Sequence, residues 1–561
     1  MKIVRKQAGI ARYGIFCRKN LYTLLFVGIA LIDWVRGSQT GGYWAMAVNC
    51  LGIIMAVFIF CQLPFAREAL KWDLIWLAVG AAGSCAGYYV WYHHPGKIYP
   101  GQYITGAADV VLLGLVLLHA WRDRERLAGQ WRETLRGKKE LLLAGLWALM
   151  SLCMICSRYG ETWQGYYFVM FGLFYLIPME QEERRDLWDA MANGFIIVFF
   201  ALQIWAFGFR PYDEVRYKGA YSNCNMNALF YLVTYVMLLY RLHALKMRER
   251  FAPEQAGSSV WARVRKACCY VLAGGMLSFM IYTLCRTALF MAAVLTIVYG
   301  VAAVLVIRRE SAARLVGQWM LIGLCAAGTF PCVYGTIRYL PTILHHPVWF
   351  SGEYTVNKVH SFDPADSWKY VSLEEFLEEA VGRTGLGGLL GLKADAAESE
   401  EPVALEADMA GTGEIAAYPV TGEDEKDSGK IRQAIWKLYL ENLNLTGHEL
   451  EEGYFQITES FHVWHAQNIF IQAAFFYGIP AGGLMTLVLL GIGAGSVKIL
   501  INSRESADIL PLMSWLLFVG FGMLECVWYP GQAVLFLMYI TPRILVDYRR
   551  AESRDTGKEA L

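Results

Sequence analysis

Long apolar stretches recur along almost the whole chain, and they limit the folds that it can adopt. Hydrophobic residues make up 56% of the 561 residues, and charged residues make up 18%. We count about fourteen apolar stretches, several of them shorter than the roughly 20 residues that a helix needs to cross a bilayer. They are residues 21–35, 43–63, 74–91, 103–121, 141–157, 166–179, 195–209, 228–240, 268–285, 287–307, 319–335, 478–500, 510–526 and 533–546. Because a chain in lipid must pair its backbone groups internally, the sequence predicts an all-α polytopic membrane protein with about 12 to 14 transmembrane helices.

Basic residues predict how this protein is oriented. If the N-terminus is cytoplasmic, 34 of the 50 Lys and Arg residues fall in inner segments, where such residues normally collect. Both termini are then cytoplasmic. We expect an N-terminal transmembrane bundle over residues 1–337, a large extracytoplasmic loop over 338–465, C-terminal transmembrane helices over 466–548 and a cytoplasmic tail over 549–561.

The large loop is strongly acidic. It carries 9 basic and 23 acidic residues, whereas the whole chain has a net charge of +1. Its centre, about residues 394–427, is acidic and poor in aromatics, which predicts a flexible insert that activity does not need. The flanking parts have helical periodicity and aromatic residues, so we expect them to form a small helical cap over the membrane domain.

The cysteines indicate neither disulfides nor a metal site. None of the 13 cysteines lies in the large loop, and those in or beside apolar stretches have a small hydrophobic role by default. We therefore expect no metal and no other cofactor. The partners expected from this composition include membrane lipid and no nucleic acid.

Unusual polar residues collect on the predicted outer side, where eight of the ten histidines lie. The loop after the seventh stretch contains Arg210, Arg216, Lys218, Asn223, Asn225 and Asn227. A helix that begins beside guanidinium groups can bind an anion. Alternatively, the loop is an interfacial one with snorkelling basic residues and Asn caps.

Two further arginines stand out. Arg286 lies between two apolar stretches with almost no loop, where a charge is costly unless it has a partner or a function. Arg432 lies on a predicted amphipathic helix with Ile435, Trp436 and Tyr439 at helical spacing. By itself, Arg432 is typical of a surface charge.

A third polar group precedes the stretch at 478–500. His465, Gln467 and Asn468 are expected within one helical turn, with Gln472 on the same face as Asn468. Gly478 then breaks the chain before the next helix.

Glu525 lies near the outer end of an apolar stretch. Since one inner loop separates it from the His465 region, the two can be neighbours. A carboxylate at this depth orients a histidine, pairs with arginine or conducts protons; a role in helix packing is the alternative.

Four segments together resemble one family. They are GAYSNCNMNALF, LCRTALFMAA, SGKIRQAIWKLYLENLNLTGH and HAQNIFIQAAFFYGIPAG. In order and outer location they resemble the O-antigen ligase and polymerase superfamily of bacterial membrane glycosyltransferases, over residues 140–545. The resemblance implies metal-independent transfer of an undecaprenyl-diphosphate-linked glycan to a glycan or glycolipid acceptor, on the outer face of the bacterial cytoplasmic membrane.

The resemblance also implies roles for residues. Arg286, Arg432 and Arg210 would hold the diphosphate, and a histidine would accept the proton of the acceptor hydroxyl. The other expected substrate-binding residues are Asn223, Asn227, Gln467, Asn468 and Gln472. Counting back from Gly478 places Gln467 where the family has its histidine. Either His465 is the catalytic base, or Gln467 positions the acceptor and another group, such as Glu525, is catalytic.

The leading hypothesis is therefore a polysaccharide polymerase or ligase of the cell envelope. A transporter or flippase of a lipid-linked glycan is the main alternative, and it should carry charges through the bundle to both faces. A sensor or scaffold that binds through its acidic cap is a third possibility, favoured only if the arginines are dispensable.

Overall fold

A computed structural model describes the chain over residues 121–159, 181–209, 216–221, 224–251, 260–307, 311–343, 428–457, 462–503 and 508–525, with single-residue gaps, and at scattered positions within 19–27 and 75–86. The described part is almost entirely helical. Its helices are α1 (Arg124–Leu135), α2 (Lys138–Ile155), α3 (Gln181–Phe209), α4 (Cys224–Phe251), α5 (Val260–Tyr282), α6 (Arg286–Val301), α7 (Ala312–Ile343), α8 (Ser428–Glu441), α9 (Ile469–Phe476), α10 (Ile479–Ser503) and α11 (Ile509–Gly522).

Three short elements complete this part of the chain. A π-helical turn, Ala302–Val306, continues α6, and a 3₁₀ turn covers Glu451–Gly453. Strands β1 (Phe455–Gln456) and β2 (His462–Val463) pair antiparallel, with Phe455 opposite Val463.

Six of the described helices are long and apolar enough to cross a membrane: α3, α4, α5, α6 with its π turn, α7 and α10. Two shorter apolar helices, within α2 and α11, accompany them. The expectation of a mostly helical protein is therefore confirmed, and these six candidate spans are compatible with a multi-pass membrane protein. The total of 12 to 14 spans stays a prediction, because the stretches at 43–63, 166–179 and 533–546, and all but the last residue of 103–121, lie outside the described residues.

Helix α4 lies at the centre of the bundle and α7 at its edge. Of the apolar part of α4, 83% is buried inside the protein, compared with 17% for α7. Side chains of α4 such as Tyr231 and Tyr235 are almost fully buried, as expected for a helix that other helices surround. The outward side of α7 leaves large apolar residues such as Leu324 exposed, which suits contact with lipid.

Small residues allow α5 and α7 to approach closely. A Cβ on Gly274 would overlap the backbone of Cys325 and Ala326, so only glycine fits at this crossing. One turn later, the Ser278 hydroxyl donates to the Ala326 carbonyl at 2.9 Å and lies 3.0 Å from the Thr329 hydroxyl. The two helices are held together by packing and by hydrogen bonds that lipid cannot supply.

An ion cluster lies near the C-terminal half of α4. Asp189 of α3, which is buried, accepts a hydrogen bond from Arg241 of α4 at 3.0 Å and pairs with Lys19. Asn225 is the second residue of α4 and Arg241 lies sixteen residues further on, so about 24 Å of helix separates these two residues. The basic partners satisfy the buried carboxylate of Asp189 in this place.

The chain from α8 to α10 forms a compact unit. The Tyr439 hydroxyl donates to the Gly453 carbonyl at 2.6 Å, and the rings of Tyr439 and Phe475 are 4.7 Å apart. Gly447 and Gly478 both have positive φ, and a Cβ on either would overlap the backbone of the opposite segment. Glycine is therefore required where the α8 segment crosses the α9–α10 junction.

This unit is joined to the end of α2. The Arg158 amide donates to the Thr446 carbonyl at 3.0 Å, and its guanidinium pairs with Glu452 at 3.1 Å. The ring of Tyr159 lies 4.5 Å from that of Phe476. Residues on both sides of position 465 therefore pack together, and the predicted boundary between the outer loop and the C-terminal transmembrane helices stays a prediction. The acidic insert, 394–427, lies outside the described residues.

One local expectation is wrong. His465, Gln467 and Asn468 do not share a helical turn, because α9 begins only at Ile469 and Asn468 is its N-cap in an extended conformation. The Asn468 side chain accepts from the amides of Phe470 and Ile471, which is the usual reason for asparagine at this position.

Candidate functional site

The polar site is built where several helices end on the same side of the bundle. Helix α5 ends at Tyr282 and α6 begins at Arg286, so a three-residue turn connects them. Leu284 in this turn has φ +50°, and the Thr283 hydroxyl accepts from the Cys285 amide at 3.2 Å. This tight turn leaves the Thr283 carbonyl free of helical pairing and places it next to Arg216.

Arg216 joins the turn to the start of α4. Its Nε donates to the Thr283 carbonyl at 3.1 Å, and its Nη2 donates to Asn225 Oδ1 at 2.9 Å. The neighbouring Tyr217 amide donates to the Tyr282 carbonyl at 2.8 Å. Backbone and side chain together therefore fix the guanidinium between two helix ends.

Asn225 continues this chain of contacts to the end of α11. Its Nδ2 donates to Glu525 Oε1 at 2.8 Å, across 300 positions in the sequence. Glu525 follows the last turn of α11, and its amide donates to the Phe521 carbonyl at 3.0 Å. The carboxylate is half-buried, as are Arg216 and Asn225.

A second guanidinium approaches from α8. Arg432 Nε donates to Gln467 Oε1 at 3.2 Å. Gln467 has φ +49°, a conformation that side chains other than glycine rarely adopt. Nearby, Asn468 Nδ2 donates to the Met523 carbonyl at 3.2 Å. The start of α9 is thereby held against the end of α11, two residues before Glu525.

The charges of Arg216 and Arg432 both act on the carboxyl group of Glu525. Burial raises its pKa to about 7, although the charges of Arg432 and Arg216 and the hydrogen bond from Asn225 oppose this rise. A carboxyl group with such a pKa exchanges its proton near neutral pH, which is the property that a general base requires.

His465 lies two residues before Gln467, in the turn that leads into α9. Its side chain has accessible surface, yet protein surrounds it closely enough that burial lowers its pKa below the ordinary 6.5. A neutral imidazole can accept a proton. No hydrogen bond joins its ring to another of the described residues, so nothing in this part of the structure fixes the ring orientation.

Arg286 occupies the first position of α6 and is exposed. A cation at a helix N-terminus faces the positive end of the helix dipole, which disfavours it. An anion bound there would interact favourably with both the guanidinium and the free amides of the first turn.

The remaining expected residues have different positions. Asn227 is fully buried, and its amide packs against Gly219, which has φ +58°; this contact supports the loop before α4. Gln472 Oε1 accepts from the Ala466 amide at 2.7 Å and so stabilises the turn before α9. Arg210 and Asn223 lie outside the described residues.

Two site residues were not selected from the sequence. Arg216 and Asn225 stood in the same loop as Arg210 and Asn223, and nothing in the local pattern ranked one arginine or one asparagine above another. The signal that identifies them is the partner, Glu525, which is far away in the sequence.

The described residues contain no group of three or more His, Cys, Asp or Glu side chains that could hold a metal ion. In this part of the chain, Arg216 and Arg432 are the cations whose charges reach Glu525. The arrangement can therefore bind an anionic group electrostatically and exchange a proton beside it.

Fold and site together describe a mostly helical protein that has six candidate membrane spans among its described residues and a polar site where several helices end. In comparisons with protein-family models and with curated proteins, the chain matches none of them.

Proposed function

We propose that the protein is an O-antigen ligase- or polymerase-like glycosyltransferase, which transfers an undecaprenyl-diphosphate-linked glycan to a glycan or glycolipid acceptor. The observation that carries this proposal is the cluster of Arg216, Arg432 and Glu525, which come from three distant segments. Arg216 and Glu525 also lie near Cys285, the residue before Arg286. Arginines suited to phosphate and a carboxyl group that titrates near neutral pH are what this transfer needs.

In the proposed reaction, the acceptor hydroxyl loses its proton to a base and its oxygen bonds to the anomeric carbon of the donor. The bond from that carbon to the diphosphate breaks, and the lipid diphosphate leaves with the electron pair. Arg286 and Arg432, together with Arg210, hold the charge that grows on the leaving group. Gln467, through Arg432, links this charge to the turn that carries His465.

Two groups can accept the proton. Glu525 is the better supported, because Asn225 orients it and both arginines act on it. His465 remains the second candidate, since its neutral ring lies in the same region of the chain.

The main alternative function is a flippase. Among the described residues, the Asp189 cluster near the C-terminal half of α4 is the group of charges relevant to it. The Asp189 cluster consists of ion pairs that satisfy one another. A transport path would instead need charges that exchange partners with a moving substrate. The proposed site is on the outer face of the bacterial cytoplasmic membrane, with both termini inside.

Purified protein in nanodiscs tests the proposal directly. With a lipid-diphosphate-linked oligosaccharide as donor and a second oligosaccharide as acceptor, we expect lengthened glycan and free lipid diphosphate, both measured by mass spectrometry. The Arg432→Ala variant should lose both products, whereas Arg314→Ala, at an exposed site on α7, should retain them. In sealed liposomes that contain the protein, movement of intact donor between leaflets without new glycan would instead identify a flippase.

A further inference from the structure

Asn225 lies between a pure hydrogen-bond donor and a carboxyl group. Arg216 offers only N–H groups, so the atom of the Asn225 amide that faces it must be the oxygen. The amide nitrogen then points to Glu525, in agreement with the distances of 2.9 Å and 2.8 Å. The orientation of the Asn225 amide therefore follows from the chemistry of its two neighbours. It does not depend on an arbitrary assignment of the amide oxygen and nitrogen, which are similar in size.

This direction has a chemical effect. A hydrogen bond donated to a carboxyl oxygen stabilises the ionised form more than the protonated form. If the amide were reversed, its carbonyl oxygen would face Glu525 and would favour the protonated form. Arg216 therefore acts on Glu525 twice, through its charge and through the orientation of Asn225.

The same contacts connect the two parts of the site. Arg216 also donates to the Thr283 carbonyl, in the turn that ends at Arg286. The Thr283 carbonyl therefore helps to fix the guanidinium that orients the Asn225 amide.

We infer that Asn225 is a positioning residue which holds the Glu525 carboxylate for proton transfer, with its amide oriented by Arg216. This inference rests on the proposed function, in which Glu525 accepts a proton. No contact of Asn225 with substrate is needed for this role.

The test measures the protonation of Glu525 without reference to activity. A water-soluble carbodiimide with an amine nucleophile labels protonated carboxyl groups, and mass spectrometry of the peptide that contains Glu525 gives the extent of labelling. In purified parent protein we expect the labelling midpoint at pH about 7. In Asn225→Leu the midpoint should rise by about one pH unit, because a hydrogen bond to the ionised form is lost.

Asn225→Asp is a second variant of nearly the same shape. Its carboxylate still accepts from Arg216 but places a second oxygen against Glu525, so the pair should retain a proton to higher pH than in Asn225→Leu. Arg216→Gln should also raise the midpoint, because the charge and the orienting donor are both lost. Asn442→Leu is the matched control: this asparagine donates to the Leu438 carbonyl, and its replacement should leave the midpoint unchanged.

Transfer assays complete the test. In Asn225→Leu the acidic limb of the pH profile should move upward with the labelling midpoint, so that most of the loss occurs at low pH. An unchanged labelling midpoint in folded Asn225→Leu and Asn225→Asp overturns the inference, as does an equal loss of rate at every pH. If the protein transfers no glycan, the labelling result still stands, so failure of the inference and failure of the proposed function are distinguishable.

Discussion

Arg432 donates a hydrogen bond from Nε to Gln467 Oε1 at 3.2 Å, and this contact joins α8 to the turn before α9. Because Nε makes this bond, the end of the guanidinium formed by its two terminal nitrogens keeps N–H groups for another partner. These nitrogens provide a flat pair of donors, which is the geometry that binds phosphate oxygens bidentately. Gln467 thereby fixes the direction in which Arg432 presents its charge.

The first prediction concerns Gln467 and its positive φ. Gln467→Gly keeps this backbone conformation at no steric cost but removes the contact with Arg432, so we expect normal thermal stability with reduced transfer. Gln467→Val cannot adopt positive φ easily and should also lower stability, by about 1–3 kcal/mol. Thermal unfolding and transfer assays on both variants separate the two effects. Equal stability of the two variants would contradict the role of φ.

Glu525 should make stability depend on pH. Its pKa is raised to about 7 from the ordinary 4.5, so the folded protein binds a proton more tightly than the unfolded chain does. The contribution of Glu525 to the free energy of unfolding is therefore fully present below pH 4.5, and it is lost as the pH rises through 7. Glu525→Gln should abolish this fall and raise the free energy of unfolding at pH 8 by about 1–3 kcal/mol.

Thermal unfolding in detergent at pH 5.5 and pH 8 measures this difference. The control is Glu441→Gln, since Glu441 is exposed and pairs only weakly with Lys437 at 3.8 Å. If the stabilities of Glu525→Gln and of Glu441→Gln both depend on pH as the stability of the parent does, Glu525 is not the source of this dependence.

The pH profile of transfer should identify the base. If Glu525 accepts the proton, the rate rises with pH to a midpoint near its pKa of about 7. If His465 accepts it, the midpoint lies below 6.5, because burial lowers the pKa of this histidine. We expect the higher midpoint.

Substitution gives an independent answer to the same question. Glu525→Gln should reduce the rate by roughly 100- to 10,000-fold, the usual loss of a general base, whereas His465→Ala should retain most activity. The opposite result would assign the proton to His465. In that case the double variant His465→Ala with Gln467→His should recover part of the rate, since it rebuilds the family-like position.

Arg286 is expected to need its planar group and not only its charge. Arg286→Lys should lower transfer by about tenfold, because an ammonium cannot bind two phosphate oxygens in the same way, and Arg286→Ala should lower it further. The surface glycan of strains that carry these variants is the measurement. Arg314→Lys, at an equally exposed position near the start of α7, is the control. Parental glycan in both Arg286 variants would make Arg286 an ordinary interfacial charge.

Topology is a separate prediction. A single cysteine introduced at position 400 should react with a membrane-impermeant thiol reagent on intact cells, whereas one at position 255 should not. A variant in which the native cysteines are replaced provides the background. The reverse pattern would place the site on the cytoplasmic side and would exclude the proposed use of an outer acceptor.

The helices were predictable because each apolar stretch must pair its own backbone groups, and the break at Gly478 was predictable because glycine accepts positive φ. The turn at His465 was not predicted correctly. An asparagine followed by an apolar run, as at Asn468, is typical of a helix N-cap. The close spacing of His465, Gln467 and Asn468 suggested a helical turn instead.

Within the site, the sequence indicated the right loops but could not rank their members. Arg210 and Arg216 have similar neighbours, and only the approach of Glu525 across 300 positions distinguishes Asn225. Contacts of this kind depend on how helices pack, which no short motif encodes.

The crossing of Gly447 and Gly478 has a mechanical consequence. Because the Ile479 amide also donates to the Asn444 carbonyl at 2.9 Å, the chain is anchored to α10 only a few residues after α8 ends. Tyr439 of α8 also donates to the Gly453 carbonyl, so α8 is fixed from its C-terminal side, after Arg432 and not before it. We therefore expect the contact between Arg432 and Gln467 to persist when the length of the chain before Ser428 is changed.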